Sequence, residues 1–488
     1  MTELVRTGLD AGHFPLQVIR ADGWAAKGEV PDTPLPLSHN VEIGVNAMSY
    51  KVAFVSLGCA KNLVNTEQMM ALCRDAGFTV TGEPEGADVA VLNTCGFIES
   101  AKSEAIDHIL ELGELKRQGK LKKLLVAGCL SQRYPDGIRE ELPEVDGMLG
   151  TGSYTDVVAA VHELMGGEKA EHFGDMNRTY EDGERMVTTP PYTAYLKIAE
   201  GCSNGCAFCI IPRLRGRYRS RSMEALLQEA RGLAKRGVKE LIVIAQDITR
   251  YGWDLKDDTT LAGLLTELCR LPFHWIRLHY LYPEAVTDEL IEVIAREKKI
   301  VHYLDIPIQH ANDGILKAMR RRSTKAEIIA LFDKLRAAMP DVVIRTSLIC
   351  GLPGEGEAEF EELCEFLKEQ KLQRAGVFQF SPEEGTLAAV MDNQVDPETA
   401  ARRVELVVDL QSRIMDGYNE QRLGTCMEVL CEGFDHNEGC YVGRTYADSV
   451  DIDGRVLFTA AGLIPAGEFV WVRITGVSDG DLTGEIEE

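Results

Sequence analysis

A chain of 488 residues is too long for one ordinary hydrophobic core, so several domains are expected. An apolar fraction of 45% is that of a globular protein, and no apolar run reaches the roughly 18–20 residues that span a bilayer, so no membrane partner is expected. A formal charge of −25 argues against tight, general binding to bare nucleic acid, where phosphate neutralisation supplies much of the affinity.

The 13 cysteines are odd in number, and several sit in motif positions, which favours metal ligation in a reducing cytoplasm over a disulfide framework. Residues 1–48 hold Pro31, Pro34 and Pro36 without a helix or strand period and lack a basic region followed by an apolar core. They read as a poorly ordered extension with no secretory signal. Residues 49–165 alternate strand and helix, which predicts a parallel α/β sheet domain. Strands are expected at 51–57, 87–92 and 123–127, with helices at 63–76 and 99–117. Each strand ends in a cysteine turn: Leu57-Gly58-Cys59, Asn93-Thr94-Cys95-Gly96 and Ala127-Gly128-Cys129. Ligands of open α/β sheets bind beyond the carboxyl ends of the strands. Cys59, Cys95 and Cys129 are therefore expected to face one crevice as a three-thiolate site. The plainer reading of any one of them is a buried cysteine, which is the reading given to Cys73 inside the first helix.

Residues 166–190 are polar and bounded by Gly-Gly and Pro-Pro, as in a linker. Residues 191–420 carry six strand–helix units, with strands expected at 194–199, 240–244, 275–280, 303–307, 342–349 and 375–380. Such units read as a β/α barrel with its site at the strand C-termini, and having six rather than eight resembles the open (β/α)6 barrel of a known family. Polar clusters fall at those ends: Gln246-Asp247, His279-Tyr280, Gln309-His310 and Gly351-Leu352-Pro353-Gly354-Glu355. The run Glu200-Gly201-Cys202-Ser203-Asn204-Gly205-Cys206-Ala207-Phe208-Cys209 has the spacing C-x3-C-x2-C. Cys202, Cys206 and Cys209 can reach three corners of one 4Fe–4S cube, which wants four ligands, and so leave one iron open. Zinc motifs usually supply four ligands in two pairs, and three buried cysteines in a loop are the plain alternative. Arg213, Arg215, Arg217, Arg219 and Arg221 alternate after the motif, a period that puts them on one side of an extended segment. Arg320-Arg321-Arg322 is a second basic run with no assigned role. Residues 421–488 show short strands between Gly and Asp turns, as in a small all-β barrel. From Arg422 to Glu488 there are 13 acidic and 4 basic residues, or −9, the wrong sign for gripping RNA.

The three-cysteine motif, with an aromatic before its last cysteine, resembles the radical S-adenosylmethionine (SAM) superfamily. The stretch Val55-Ser56-Leu57-Gly58-Cys59-Ala60-Lys61-Asn62, with Asn93-Thr94-Cys95-Gly96 and Gly128-Cys129, resembles the N-terminal domain of the methylthiotransferases, and the last domain resembles a TRAM barrel. The resemblance covers nearly everything from Lys51 onward. It implies two 4Fe–4S clusters, one on Cys202, Cys206 and Cys209, where the open iron chelates SAM, and one on Cys59, Cys95 and Cys129, which carries the sulfur. It also implies SAM contacts from Phe208, Gln246, Asp247, Ile349 and Gly351, and an external electron donor, flavodoxin or ferredoxin, besides a sulfur donor. The family has two main branches. One modifies adenosine of tRNA, and the other the β-carbon of an aspartate in small-subunit ribosomal protein twelve. The stretches Lys197-Ile198-Ala199-Glu200-Gly201-Cys202, His279-Tyr280-Leu281-Tyr282-Pro283, Ser381-Pro382-Glu383-Glu384-Gly385-Thr386 and Gly443-Arg444-Thr445-Tyr446-Ala447-Asp448 resemble the second. The expectation is a ribosomal-protein partner, free or in the particle, and no tRNA.

Overall fold

The computed structural model describes residues 49–178 and 182–487, so the expectation for the N-terminal extension lies outside the described residues. The chain divides into two compact units. The first holds a six-stranded parallel sheet of β1 (Lys51–Ser56), β2 (Thr79–Thr81), β3 (Val89–Thr94), β4 (Lys123–Gly128), β5 (Gly147–Leu149) and β6 (Ala170–His172), in the order β2-β1-β3-β4-β5-β6. Its central strands are nearly continuous apolar runs because both faces are covered. Val52, Phe54, Val89 and Val91 pack on one face against Met69, Met70 and Cys73 of helix α1 (Ala60–Asp75). Their neighbours Ala53, Val55, Ala90 and Leu92 pack on the other face against Ala105, Ile109 and Leu112 of α2 (Glu99–Arg117). The period-two alternation thus supplies two cores from one sheet. β6 falls inside the stretch expected to be a linker. Its three residues, Ala-Glu-His, are too few and too polar to register as a strand, yet they pair with β5 in parallel. Farther along, Arg185 pairs with the buried Glu67, which also accepts from the Thr188 backbone N–H at 2.7 Å.

The second unit contains β7 (Thr193–Lys197), the small antiparallel pair β8 (Ala199–Glu200) and β9 (Arg219–Ser220), β10 (Glu240–Ile244), β11 (Trp275–Leu278), β12 (Ile300–Asp305), β13 (Val343–Cys350) and β14 (Arg374–Gln379). The six long strands form an open parallel sheet, β14-β13-β12-β11-β10-β7. On β13 the residues Ile344, Thr346, Leu348 and Cys350 are buried, while Arg345, Ser347 and Ile349 are half-buried. One face of that strand is fully covered, and the other only in part.

The chain ends in a closed barrel, β15 (Cys426–Asp435), β16 (Cys440–Arg444), β17 (Val456–Thr459), β18 (Phe469–Ser478) and β19 (Asp481–Ile486). Val429, Cys431, Val456, Phe458, Val472 and Ile474 fill it. Arg444 at the end of β16 and the 445–453 loop after it join the parallel sheet through buried polar contacts. Glu240 accepts from Arg277 Nε at 2.9 Å and from Arg444 Nη2 at 2.7 Å. Arg374 pairs with Asp448 at 2.8 Å, and the Tyr303 hydroxyl donates to Asp453 at 2.6 Å. Burial opposes ionisation of Glu240, but Arg444 and Arg277 outweigh it and hold its carboxyl at about 2. A depressed carboxylate stabilises the fold above its unfolded pKa, about 4.3. That contribution is lost as pH falls from there towards 2. Arg444→Met leaves the buried Glu240 with one cation. The expected cost is about 3–5 kcal/mol, read as an earlier denaturation transition at neutral pH that converges on wild type as pH approaches 2.

Candidate metal centres

The first centre lies at the carboxyl ends of three adjacent strands. Cys59 follows β1 and caps α1, Cys95 follows β3, and Cys129 follows β4 and opens the short helix α3 (Cys129–Arg133). The turns interlock. A Cβ on Gly58 would lie 2.7 Å from Cys95 Cβ, and one on Gly96 would lie 2.9 Å from Leu130 N. Gly128 has φ 99° with Asn93 and the Thr94 carbonyl against it, so only glycine fits there. Buried side chains stitch the strand ends together. Asn62 Nδ2 donates to the carbonyls of Leu57 (3.1 Å) and Thr94 (3.0 Å). Asn93 Nδ2 donates to Asn62 O and Thr66 Oγ1, both at 2.9 Å, and Thr94 Oγ1 donates to Ala127 O at 2.6 Å. Each bond removed would strand a buried polar group, costing about 1–3 kcal/mol. The sequence motif spends its Asn and Thr residues on holding three cysteine turns in register.

The second centre is the loop after β8. Gly201 has φ 80° and lies against the carbonyls of Gly216 and Arg217, another position for glycine alone. The Cys202 N–H donates to Gly216 O (3.1 Å) and the Cys209 N–H to Cys206 O (3.1 Å). Burial pushes the Cys202 thiol up to about 11 and Cys209 higher still, so binding a metal there releases protons. Among the described residues no three His, Cys, Asp or Glu side chains converge tightly enough for one metal ion.

The polar residues beside this loop form one network. Glu200 pairs with Lys197 at 2.9 Å and Arg215 at 3.3 Å, and accepts from Gln246 Nε2 at 2.8 Å. Burial resists its ionisation, but Lys197 and Arg215 prevail and keep its carboxyl well below the usual range. Asp247 Oδ2 accepts from Asn204 Nδ2 at 2.8 Å, and Asp247 Oδ1 from the Thr249 N–H at 3.0 Å. Burial raises the Asp247 pKa against these bonds. Three buried atoms of the network have no partner: Asn204 Oδ1, Gln246 Oε1 and Tyr218 Oη. Unpaired buried polar atoms are costly, and a ligand rich in amino and hydroxyl groups would satisfy them, so the residues present fit a SAM-like molecule. Phe208 and Ile349 pack in one apolar cluster with Leu352 and Ala388, a surface suited to a flat ring. Gly351 has a different role. Its N–H donates to Glu355 at 3.0 Å, and a Cβ there would strike Ala400.

The arginine series departs from expectation. Ile211–Arg215 is a helical turn, so period-two spacing does not hold through it. Arg215 and Arg221 are buried in ion pairs, Arg221 with Glu229 at 2.7 Å, whereas Arg213 and Arg217 are exposed. Pro212 at the first turn of that helix favours the helical start. Two residues that sequence reading left without a role meet Cys206: Tyr282 Oη lies 3.2 Å from its Sγ, and Arg321 Nη1 lies 3.7 Å from it.

Three family models match: Uncharacterized protein family UPF0004 over residues 51–150, Radical SAM superfamily over 196–367, and TRAM domain over 423–486. Among curated relatives, the ribosomal protein uS12 methylthiotransferase RimO of Lachnoclostridium phytofermentans is 46% identical over 439 residues, covering 90% of this chain and 100% of that protein. Its counterpart in Clostridioides difficile is 44% identical over 438 residues, 89% of this chain and 98% of that one. The chain belongs to the RimO family. RimO relatives match both cysteine-bearing segments and the terminal barrel in a single span. A solved radical SAM methyltransferase, TsrM from Kitasatospora setae, has a TM-score of 0.52 at 12% identity over 70% of this chain and 74% of that one, a likeness of fold alone. No helix among the described residues is long and apolar enough to cross a membrane.

Proposed function

We propose that this chain, in the cytoplasm, adds a methylthio group to the β-carbon of an aspartate in small-subunit ribosomal protein uS12. The observation that carries this reading is similarity to RimO relatives along their whole length. In this reading Cys202, Cys206 and Cys209 hold one 4Fe–4S cluster and Cys59, Cys95 and Cys129 a second, each leaving an iron without a protein ligand. When bound, the clusters and SAM supply a carbon-centred radical and a methylated sulfur, chemistry that belongs to the cofactors.

The chain's own residues bind and orient. Lys197 and Arg215 keep Glu200 ionised, and Glu200 fixes Gln246 by accepting from its amide, leaving Oε1 for a ligand donor. Asp247 holds Asn204 by its amide in the same way. Phe208 and Ile349 offer an apolar wall to the adenine and help keep water from it. The terminal barrel, at −9, favours a basic protein over an RNA phosphate chain. Electrons come from a flavodoxin or ferredoxin, and sulfur from a separate donor.

Cluster-loaded protein given SAM and reductant is offered uS12, free and in the small subunit, and in parallel tRNA. Mass spectrometry is expected to find the methylthio group on one aspartate of uS12 and nothing on tRNA adenosine. Methylthiolation of tRNA with none on uS12 overturns the reading.

A further inference from the structure

Among the three consecutive arginines Arg320, Arg321 and Arg322, only Arg321 is buried, at 8% exposure. Arg320 adopts φ 57° just beyond the helix Asp313–Ala318 and turns the chain inward. The Arg321 guanidinium donates to the Pro307 carbonyl at 2.7 Å and to Cys206 Sγ at 3.7 Å, and it stacks over the Tyr282 ring, 4.2 Å from its centroid. The other deeply buried arginines of this unit have carboxylate partners: Arg215 has Glu200, Arg221 has Glu229, Arg250 has Asp247, Arg277 and Arg444 share Glu240, Arg374 has Asp448 and Arg403 has Glu355. Among the described residues Arg321 has none within 4.0 Å. The neighbouring Glu284 is shared instead by Ser323 at 3.3 Å and Arg250 at 4.0 Å. A buried cation without a counter-charge is strongly disfavoured. The near atom able to carry negative charge is the Cys206 sulfur. Tyr282 Oη lies 3.2 Å from the same atom, and since a ligating thiolate can only accept, the hydroxyl is then the donor.

We propose that Arg321 and Tyr282 together set the reduction potential of the cluster held through Cys206, raising it so that an external donor can reduce it. Both are positioning residues that act through the ligand sulfur. The inference rests on Cys206 being a cluster ligand, as in the function proposed above. Reduction adds one electron and no atoms, so it places one more negative charge beside Cys206. A cation and a hydrogen-bond donor at the ligand sulfur stabilise the more negative state more than the oxidised one.

The test is a potentiometric titration of the full chain, followed by the electron paramagnetic resonance of the reduced cluster. Cys59, Cys95 and Cys129 are changed to Ala so that one cluster contributes. At a fixed potential Arg321→Met is expected to lower the reduced-to-oxidised ratio about tenfold or more, a midpoint more negative by about 59 mV. Tyr282→Phe should shift it less in the same direction, and Arg321→Lys should keep most of the wild-type value. An unchanged or more positive midpoint in Tyr282→Phe and Arg321→Met, at matched iron content, overturns the proposal. If Arg321→Met loses its iron, Tyr282→Phe decides alone. Failure of the parent protein to bind iron through Cys202, Cys206 and Cys209 would overturn the functional reading itself, whereas a loaded cluster with an insensitive midpoint overturns only this inference.

Discussion

Replacing Cys202, Cys206 and Cys209 together by Ala is expected to abolish SAM cleavage while iron remains bound through Cys59, Cys95 and Cys129. The converse triple variant should keep SAM cleavage, read as 5′-deoxyadenosine release, and lose methylthio transfer. The argument is one of separate scaffolds. Cys59, Cys95 and Cys129 are held by Asn62, Asn93 and Thr94 between β1, β3 and β4. Cys202, Cys206 and Cys209 hang on backbone bonds to Gly216 and within their own loop. The backbone of each turn rests on these bonds, so Ala keeps the turn while removing the ligand, although Cys206→Ala also takes away the sulfur that Tyr282 and Arg321 face. Loss of iron from both centres in one triple variant that still unfolds cooperatively would falsify the independence of the two triads.

The cysteine turns were legible because each strand before them is an unbroken apolar run, which fixes where its carboxyl end falls. Residues 123–127 read as a strand and form one, as Lys123–Gly128, which puts Cys129 at the turn. What escaped did so for several reasons. β2, β5 and β6 are three residues each, shorter than any period can report. β19 reads Asp-Leu-Thr-Gly-Glu-Ile, where acidic residues and a glycine hide an alternation whose buried residues are Leu482 and Gly484. The arginine series failed through a local override: one helical turn at Ile211–Arg215 breaks a period of two. Arg321 was invisible for a different reason. Three identical residues in a row carry no pattern, and burial of the middle one depends on a left-handed turn at Arg320 and on Tyr282, 39 positions away in sequence.

Glu438→Lys combined with Glu485→Gln is expected to weaken binding of uS12 by about 1–2 kcal/mol at low salt, given the usual worth of exposed charge pairs, roughly five- to thirtyfold in Kd. The loss should shrink as salt screens the interaction. These sites are chosen from the fold. Both side chains are exposed on the terminal barrel. Glu485 lies opposite Arg473 across β18 and β19, so glutamine avoids the like-charge pair that lysine would create. Asp453 would be a poor choice, because it accepts from Tyr303 and from the Ser449 N–H at 2.8 Å within the joint with the parallel sheet. The double variant takes the segment from −9 to −6, because lysine for glutamate changes the charge by two and glutamine by one. Thermal unfolding should not move measurably, since exposed substitutions of this kind usually stay within about 0.5 kcal/mol. The sign of the binding change separates the two family branches. A basic protein partner loses attraction when the barrel becomes less acidic. An RNA partner loses repulsion instead and binds more tightly. Titrations with uS12 and with tRNA at two salt concentrations therefore read opposite directions, and tighter tRNA binding accompanied by unchanged uS12 binding would count against the protein substrate.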